Sequence, residues 1–522
     1  MIAAIPSAVL IGVDGKQVFV EVHVSNGLPG FTVVGLPDTA VRESRDRVRA
    51  AFLSSGLSWP LRRVTVNLAP SGMRKGGAGL DLPIAIGVLV AAGELDPGAV
   101  DNTAFVGELG LDGSLRGVPG TVVLAEALGR YRLIVAAASG REARLGGGVI
   151  RTSSTLGALV DRLSGNRPWP EPGDPESDDP VSDPSTWTPD SSPRSSVSSH
   201  SGQDLADIRG QRLARRALEV AAAGGHHLLL VGPPGSGKTM LANRFPDLLP
   251  DLPRSTALEV TRVHSVAGLP PAPSGLIERP PFRAPHHGTS PVAMIGGGSS
   301  WMRPGEISLA HGGILFLDEM GEFSATVLDA LRQPLEAGQV HVSRARGSTT
   351  YPARFILVGA MNPCPCGEGG APGACRCGSS ARERYARRLS GPLLDRFDIA
   401  IRVDRPQVDE LMGRGHAETT SAVAERVARA RLRAVGRGVT VNAELEGSML
   451  DERAPLCRDA ARLVEHEVRS GALSARGLHR VHRLARTVAD LEGVNGAVGE
   501  SHVREALLLR CRRELLLGSE VR

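Results

Sequence analysis

Residues 228–240, LLLVGPPGSGKTM, decide the fold. A short apolar run leads into a glycine-rich turn, and helix-compatible residues follow. Gly232, Pro233, Pro234, Gly235, Ser236, Gly237, Lys238 and Thr239 match G-x-x-x-x-G-K-[ST] at every fixed position. Glycines at these places let backbone N–H groups converge on phosphate oxygens at the start of a helix. Lys238 brings a compact charge to the β/γ-phosphates of ATP, and Thr239 brings a hydroxyl for Mg²⁺. The chain has three lysines (Lys16, Lys75, Lys238) against 57 arginines. A lysine kept in such a background marks a place that Arg, with its wide planar head, does not fill.

Two further apolar runs follow the loop. GGILFLDEM, 312–320, ends in Asp318 and Glu319. An acid at the end of a buried strand is costly without a task. Asp318 is expected to hold Mg²⁺ through water and Glu319 to polarise the attacking water. RFILVGAMNP, 354–363, ends at Asn362, which either orients a water near the γ-phosphate or caps a turn before Pro363. These runs are short and bounded by turn signals, as central strands of a parallel sheet should be.

Outside this core the pattern changes twice. Residues 1–165 alternate strand-like runs (KQVFVEVHVS, RRVTVNLA, YRLIVAAA) with helix-like ones (TAVRESRDRVRAAFLSSG, LDLPIAIGVLVAAGEL), an α/β domain. Residues 166–203 are rich in Pro, Ser, Asp and Gly and predict a disordered linker. The two Trp residues within it are stray residues or a short docking motif. Residues 204–404 are the α/β core, and 405–522 read as helical. A chain of 522 residues needs several cores. Net charge is +4, too small to prove a nucleic-acid partner. No long uncharged apolar stretch predicts a membrane span, and six cysteines in a chain this size suit a reducing cytoplasm.

Four of those cysteines, Cys364, Cys366, Cys375 and Cys377, crowd into C-x-C…C-x-C just after Asn362. Four thiolates complete a tetrahedral Zn²⁺ shell, although one-residue spacing is tighter than usual. A redox pair and an unliganded loop stay open as alternatives. Cys457 and Cys511 read as ordinary helix residues.

Together these residues resemble AAA+ ATPases, and more narrowly the YifB/ComM family of magnesium-chelatase-like ATPases. PFRAPHHGTSPVAMIGGG, RPGEISLAHGGILFLDEM, LRQPLEAGQVHVSRA, AMNPCPCG, SGPLLDRFDI and SARGLHRVHRLARTVADLEG carry the resemblance. It implies an AAA+ P-loop core and a helical lid of the magnesium-chelatase C-terminal type. Residues 1–165 resemble a Lon-protease-like domain of the ribosomal S5 domain 2 fold. RKGGAGLDLPIAIGVL and GELGLDGSLRGVPG match it, yet the Ser–Lys dyad of such a protease is missing. Lys75 then reads as an anion-binding or exposed loop lysine.

The resemblance makes Arg396 the arginine finger for a neighbour's γ-phosphate and Arg476 the sensor-two arginine. Arg480, Arg483 and Arg486 read as a solvated helix face. Arg344 and Arg346 at a hairpin tip either meet DNA or are solvated, and His286 and His287 are pore, interface or packing residues. The cysteine knob is expected to shape the ring or its DNA-facing surface. The implied whole is a cytoplasmic, Mg²⁺-dependent ATP-hydrolysing homo-oligomer, a hexameric ring acting on single-stranded or branched DNA as branch-migration helicases do. The alternatives are a magnesium-chelatase motor subunit and a nucleotide-gated scaffold or unfoldase.

Overall fold

The three apolar runs become adjacent strands. In the computed structural model, Ile314–Leu317, Ile356–Met361 and Leu228–Val231 lie side by side and parallel, flanked by Phe282–Arg283 and Ile399–Arg402. All residues of the three inner strands are buried. Such strands are apolar throughout because both faces of the sheet are covered. The structure describes residues 2–73, 75–170, 203–270, 272–298, 302–344, 347–368, 375–388, 391–407, 409–410 and 418–510. Most of the expected linker, 171–202, lies outside them, as do Trp187, Arg346 and Cys511. Trp169 is described, and the Arg151 guanidinium lies 4.4 Å from its ring centre.

Besides a two-stranded ribbon, Glu108–Leu109 with Leu115–Arg116, residues 2–163 build two further sheets. One has four strands in the order Ile2–Ile11, Asp14–Ser25, Arg63–Ala69, Gly30–Val34; the other is a parallel trio, Thr103–Phe105, Arg132–Ala136, Val149–Ser153. Helix Asp81–Ala92 is buried along all but its last residue, which explains why its sequence is apolar all round. Its one acid, Asp81, pairs with Arg47 Nε at 2.6 Å. Burial still raises the Asp81 carboxyl to about 6 against the pull of that guanidinium. Lys75 is fully buried and its ammonium donates to the Pro70 carbonyl, which corrects the reading of it as an anion-binding or exposed loop lysine.

This N-terminal unit rests on helix Arg254–Ala267 of the core. Arg262 pairs with Glu126 at 2.6 Å, the Gly120 N–H donates to the Ser265 carbonyl at 2.9 Å, and Val122, Val123 and Val266 form an apolar seam. The first turn also presses Gly12 onto Thr349 of the hairpin Gln339–Arg344/Gly347–Pro352. A Cβ at Gly12 would fall 2.0 Å from the Thr349 hydroxyl.

Helices Thr420–Gly436, Arg458–Arg469, Ala475–Leu491 and Glu500–Leu508 cover the other end of the core. Arg480, Arg483 and Arg486 do not form a solvated face. Arg486 is 1% exposed, with Asp490 Oδ1 at 2.9 Å and the Gly496 carbonyl at 2.7 Å. Arg480 and Arg483 approach the buried Asp398 at 3.7 and 4.0 Å. Burial alone would raise Asp398. His226 at 3.5 Å and the neighbouring guanidinium charges outweigh it and hold the carboxyl well below the usual range. The three-residue spacing does put them on one face of the helix, but that face is turned inward onto acids. Among the described residues no helix is long and apolar enough to cross a membrane.

His227, just before the phosphate-loop strand, accepts the Leu357 N–H on Nδ1 at 3.0 Å. Desolvation lowers its pKa to about 4, so the folded ring is neutral near pH 7. Between about 6.5 and about 4 the unfolded chain binds this proton more tightly. Stability should therefore fall as pH drops through that window. Thermal unfolding from pH 7 to 4 should show a shallower decline in His227→Asn than in the parent; equal slopes would remove His227 as the cause.

Candidate functional site

In a parallel sheet, ligands bind beyond the carboxyl ends of the strands. Lys238, Asp318 and Asn362 all lie beyond such ends on three neighbouring strands, with the Asn362 strand between the other two. Gly235 and Gly237 have φ of +76° and +89°, and a Cβ on either would meet nothing within 4 Å. That is an open cradle with the backbone bent as only glycine bends readily. Gly232 is required for another reason: its Cβ would lie 1.9 Å from the Val403 carbonyl.

Lys238 is 9% exposed. Its ammonium donates to the Gly232 and Pro233 carbonyls at 2.8 and 2.9 Å and to Asn362 Oδ1 at 3.3 Å. Burial lowers its pKa, and the Asp318 carboxylate pushes it back up. Thr239 Oγ1 donates to Asp318 Oδ2 at 2.8 Å. The hydroxyl and the carboxylate expected to share Mg²⁺ are thus already in contact, and they are hard oxygen donors of the kind that ion takes. Ser236, within the loop, is buried.

Glu319 stands at the mouth of this edge with a left-handed backbone, φ +49°, and a side chain 60% exposed. Backbone strain of this kind in a non-glycine residue persists only where its surroundings fix it. His287 Nδ1 lies 3.3 Å from Glu319 Oε2, and its ring packs at a tilt of 35° against His286 with centres 4.0 Å apart. Nothing in the spacing of PFRAPHHGTSPVAMIGGG marks His287 as a partner of Glu319; loop conformation alone brings it there.

Arg396 and Arg476 are not at this edge. Arg396 precedes strand Ile399–Arg402 by three residues, and Ile399 sits opposite Leu228, the first residue of the phosphate-loop strand. The loop leaves that strand's other end, so Arg396 belongs to the opposite edge, separated by a strand length of roughly 13 Å. There it pairs with Glu336. Arg396, Arg476, Arg332, Gln333, Asp329 and Glu336 line an open cleft of about 460 Å³. Sequence reasoning did not single out Arg332 or Glu336.

The four cysteines do converge. Their sulfurs all lie within 4.8 Å of one another, with Cys364–Cys366 at 3.4 Å, Cys366–Cys375 at 3.6 Å and Cys364–Cys375 at 3.9 Å. Sulfurs about 2.3 Å from a tetrahedral zinc stand about 3.8 Å apart, whereas a disulfide brings them to about 2.05 Å. The donor set and its spacing fit Zn²⁺.

Family models described as magnesium chelatase, subunit ChlI; subunit ChlI of Mg-chelatase; and magnesium chelatase, subunit ChlI C-terminal, match residues 204–411, 20–139 and 417–510. The protein YifB of Escherichia coli (strain K12) is 41% identical over 511 residues, 97% of this chain and 96% of its own. Competence protein ComM of Haemophilus influenzae is 41% identical over 519 residues, 99% of this chain and 98% of its own. The chain belongs to the YifB/ComM family of magnesium-chelatase-like AAA+ proteins. This YifB/ComM-family chain also resembles the magnesium-chelatase 38 kDa subunit of Cereibacter sphaeroides, 28% identical over 234 residues, 42% of this chain and 60% of that one. The mixed α/β architecture with its parallel sheet agrees with the family.

Proposed function

We propose that this chain is the protomer of a homo-oligomeric ring, six-membered by family resemblance, that hydrolyses ATP between neighbours and drives branch migration of DNA. The observation that carries the reading is the division of the site between two edges of one sheet. Lys238, Asp318 and Asn362 sit at one edge, and Arg396 and Arg476 share a cleft at the other. A chain cannot bring both sets to one nucleotide, but a ring of copies can, each offering its cradle to the next copy's guanidiniums.

In this reading residues Gly232–Gly237 cradle the phosphates and Lys238 neutralises the β/γ-phosphates. Thr239 and Asp318 hold Mg²⁺, which supplies charge neutralisation. Glu319 takes a proton from the attacking water and Asn362 orients that water. Arg396 and Arg476 stabilise charge that develops on the neighbour's γ-phosphate. Cys364, Cys366, Cys375 and Cys377 hold Zn²⁺. Helices 418–510 act as the lid. Residues 1–165 are a Lon-protease-like domain without its dyad, supported by a buried Lys75 tied to Pro70 and an Asp81 spent on Arg47. The name of the competence relative supports the DNA reading. The hairpin beginning at Gln339 is its contact with the strand.

ATP hydrolysis assayed with no DNA, single-stranded DNA and branched DNA tests this. Stimulation greatest with branched DNA is expected. Absence of stimulation by any DNA would overturn the DNA reading. The three magnesium-chelatase model matches favour a chelatase motor as the second reading, in which ATP hydrolysis would instead be coupled to metal insertion into a porphyrin by partner subunits.

A further inference from the structure

The cysteine knob does not stand apart on an outer surface; it touches the phosphate loop at two points. Gly367, in a left-handed conformation with φ +86°, packs so closely on Pro234 that a Cβ would fall 2.4 Å from the proline Cδ. The Gly367 N–H donates to the Cys364 carbonyl at 2.9 Å, so this contact is set by the turn Cys364–Gly367 that carries the first two cysteines. Arg405 makes the second link. Its guanidinium reaches the Pro234 carbonyl at 3.4 Å and Glu368, next to Gly367, at 3.0 Å. Cys364 itself is fully buried and lies two residues after Asn362, whose amide oxygen accepts from Lys238. Pro234 is therefore held from outside by the knob and, through Arg405, by the edge of the sheet.

A loop that must keep its N–H groups aimed at phosphate gains from such rigid support. Among the described residues of the knob, Cys364 is buried, whereas Cys366 is exposed and Cys375 and Cys377 are half-buried. A bound metal would fix the turn where packing cannot.

We propose that the four-cysteine knob is a metal-held brace for the phosphate loop, so that nucleotide affinity depends on its Zn²⁺. This rests on the reading of the four cysteines as a zinc site. The brace has no part in the chemical step. Its residues position Pro234 and hence the cradle.

The test uses the full chain, purified without chelator, with zinc measured per chain and binding of a fluorescent ADP analogue titrated in excess Mg²⁺. About one zinc per chain is expected. Chelator-stripped protein, checked for unchanged far-ultraviolet circular dichroism, should bind the analogue about tenfold more weakly, and added Zn²⁺ should restore it. Arg405→Ala, which leaves every cysteine in place, should keep its zinc and bind about threefold more weakly. Protein that carries no zinc and takes up none on titration overturns the zinc site and the brace with it. Protein that carries zinc, yet binds the analogue equally well when stripped and in Arg405→Ala, overturns the brace and leaves the zinc site standing.

Discussion

Glu319→Gln should lower ATP turnover about a hundredfold or more, while affinity for ATP stays within about threefold of the parent. The Glu319 carboxylate faces His287, only its backbone N–H donates to Asp318 Oδ1, at 2.9 Å, and Lys238 bonds Asn362 while Thr239 bonds Asp318. Removing the carboxylate's basicity therefore leaves the phosphate contacts intact and takes away the acceptor for the water's proton. The amide keeps the size of the side chain and its place against His287. Single-turnover hydrolysis and equilibrium nucleotide binding, measured on the same preparation, separate the two quantities. Turnover at the parent rate would remove Glu319 from the chemistry.

Arg396→Ala should have a comparable effect with a different signature. A guanidinium supplied to a neighbour's transferring phosphoryl group is worth about 10³-fold or more in turnover. The loss should come without weaker ATP binding, because Arg396 lies a strand length from its own phosphate loop. The decisive measurement mixes two inactive proteins. Arg396→Ala retains a working cradle, and Lys238→Ala retains a working arginine. Random mixing in equal amounts places a good cradle against a good guanidinium at about a quarter of interfaces in a head-to-tail ring. Activity should recover to about that fraction. A mixture as inactive as its parts would mean that Arg396 serves its own nucleotide or none.

The sheet and the cradle were legible in the sequence because their physics is local. Three unbroken apolar runs can only be interior strands, and G-x-x-x-x-G-K-[ST] states both the turn and the ligand. Thr239 and Asp318 could be paired in advance because the parallel strands of one sheet all end at one edge. The buried arginines were not legible. With 57 arginines in the chain, Arg486 looks like any surface residue until Asp490 and the Gly496 carbonyl are seen closing around it. Lys75 was misread for the same kind of reason, since a glycine-rich loop gives no sign that its carbonyls fold back over an ammonium. The knob was placed correctly beside Asn362 in sequence, yet its contact with Pro234 depends on how two turns meet in space. His287 against Glu319 is likewise a meeting of distant loops that no spacing announces.

The inward-facing arginines of helix Ala475–Leu491 have a mechanical consequence. Arg480 and Arg483 grip Asp398, two residues beyond Arg396, while Arg476 sits on the first turn of the same helix. Charges buried this deeply are little screened by salt, so the grip holds across ionic strengths that strip polyanions from a protein. In the proposed ring, a tilt of this helix that carried Arg476 toward a neighbouring copy would carry Arg396 with it through Asp398.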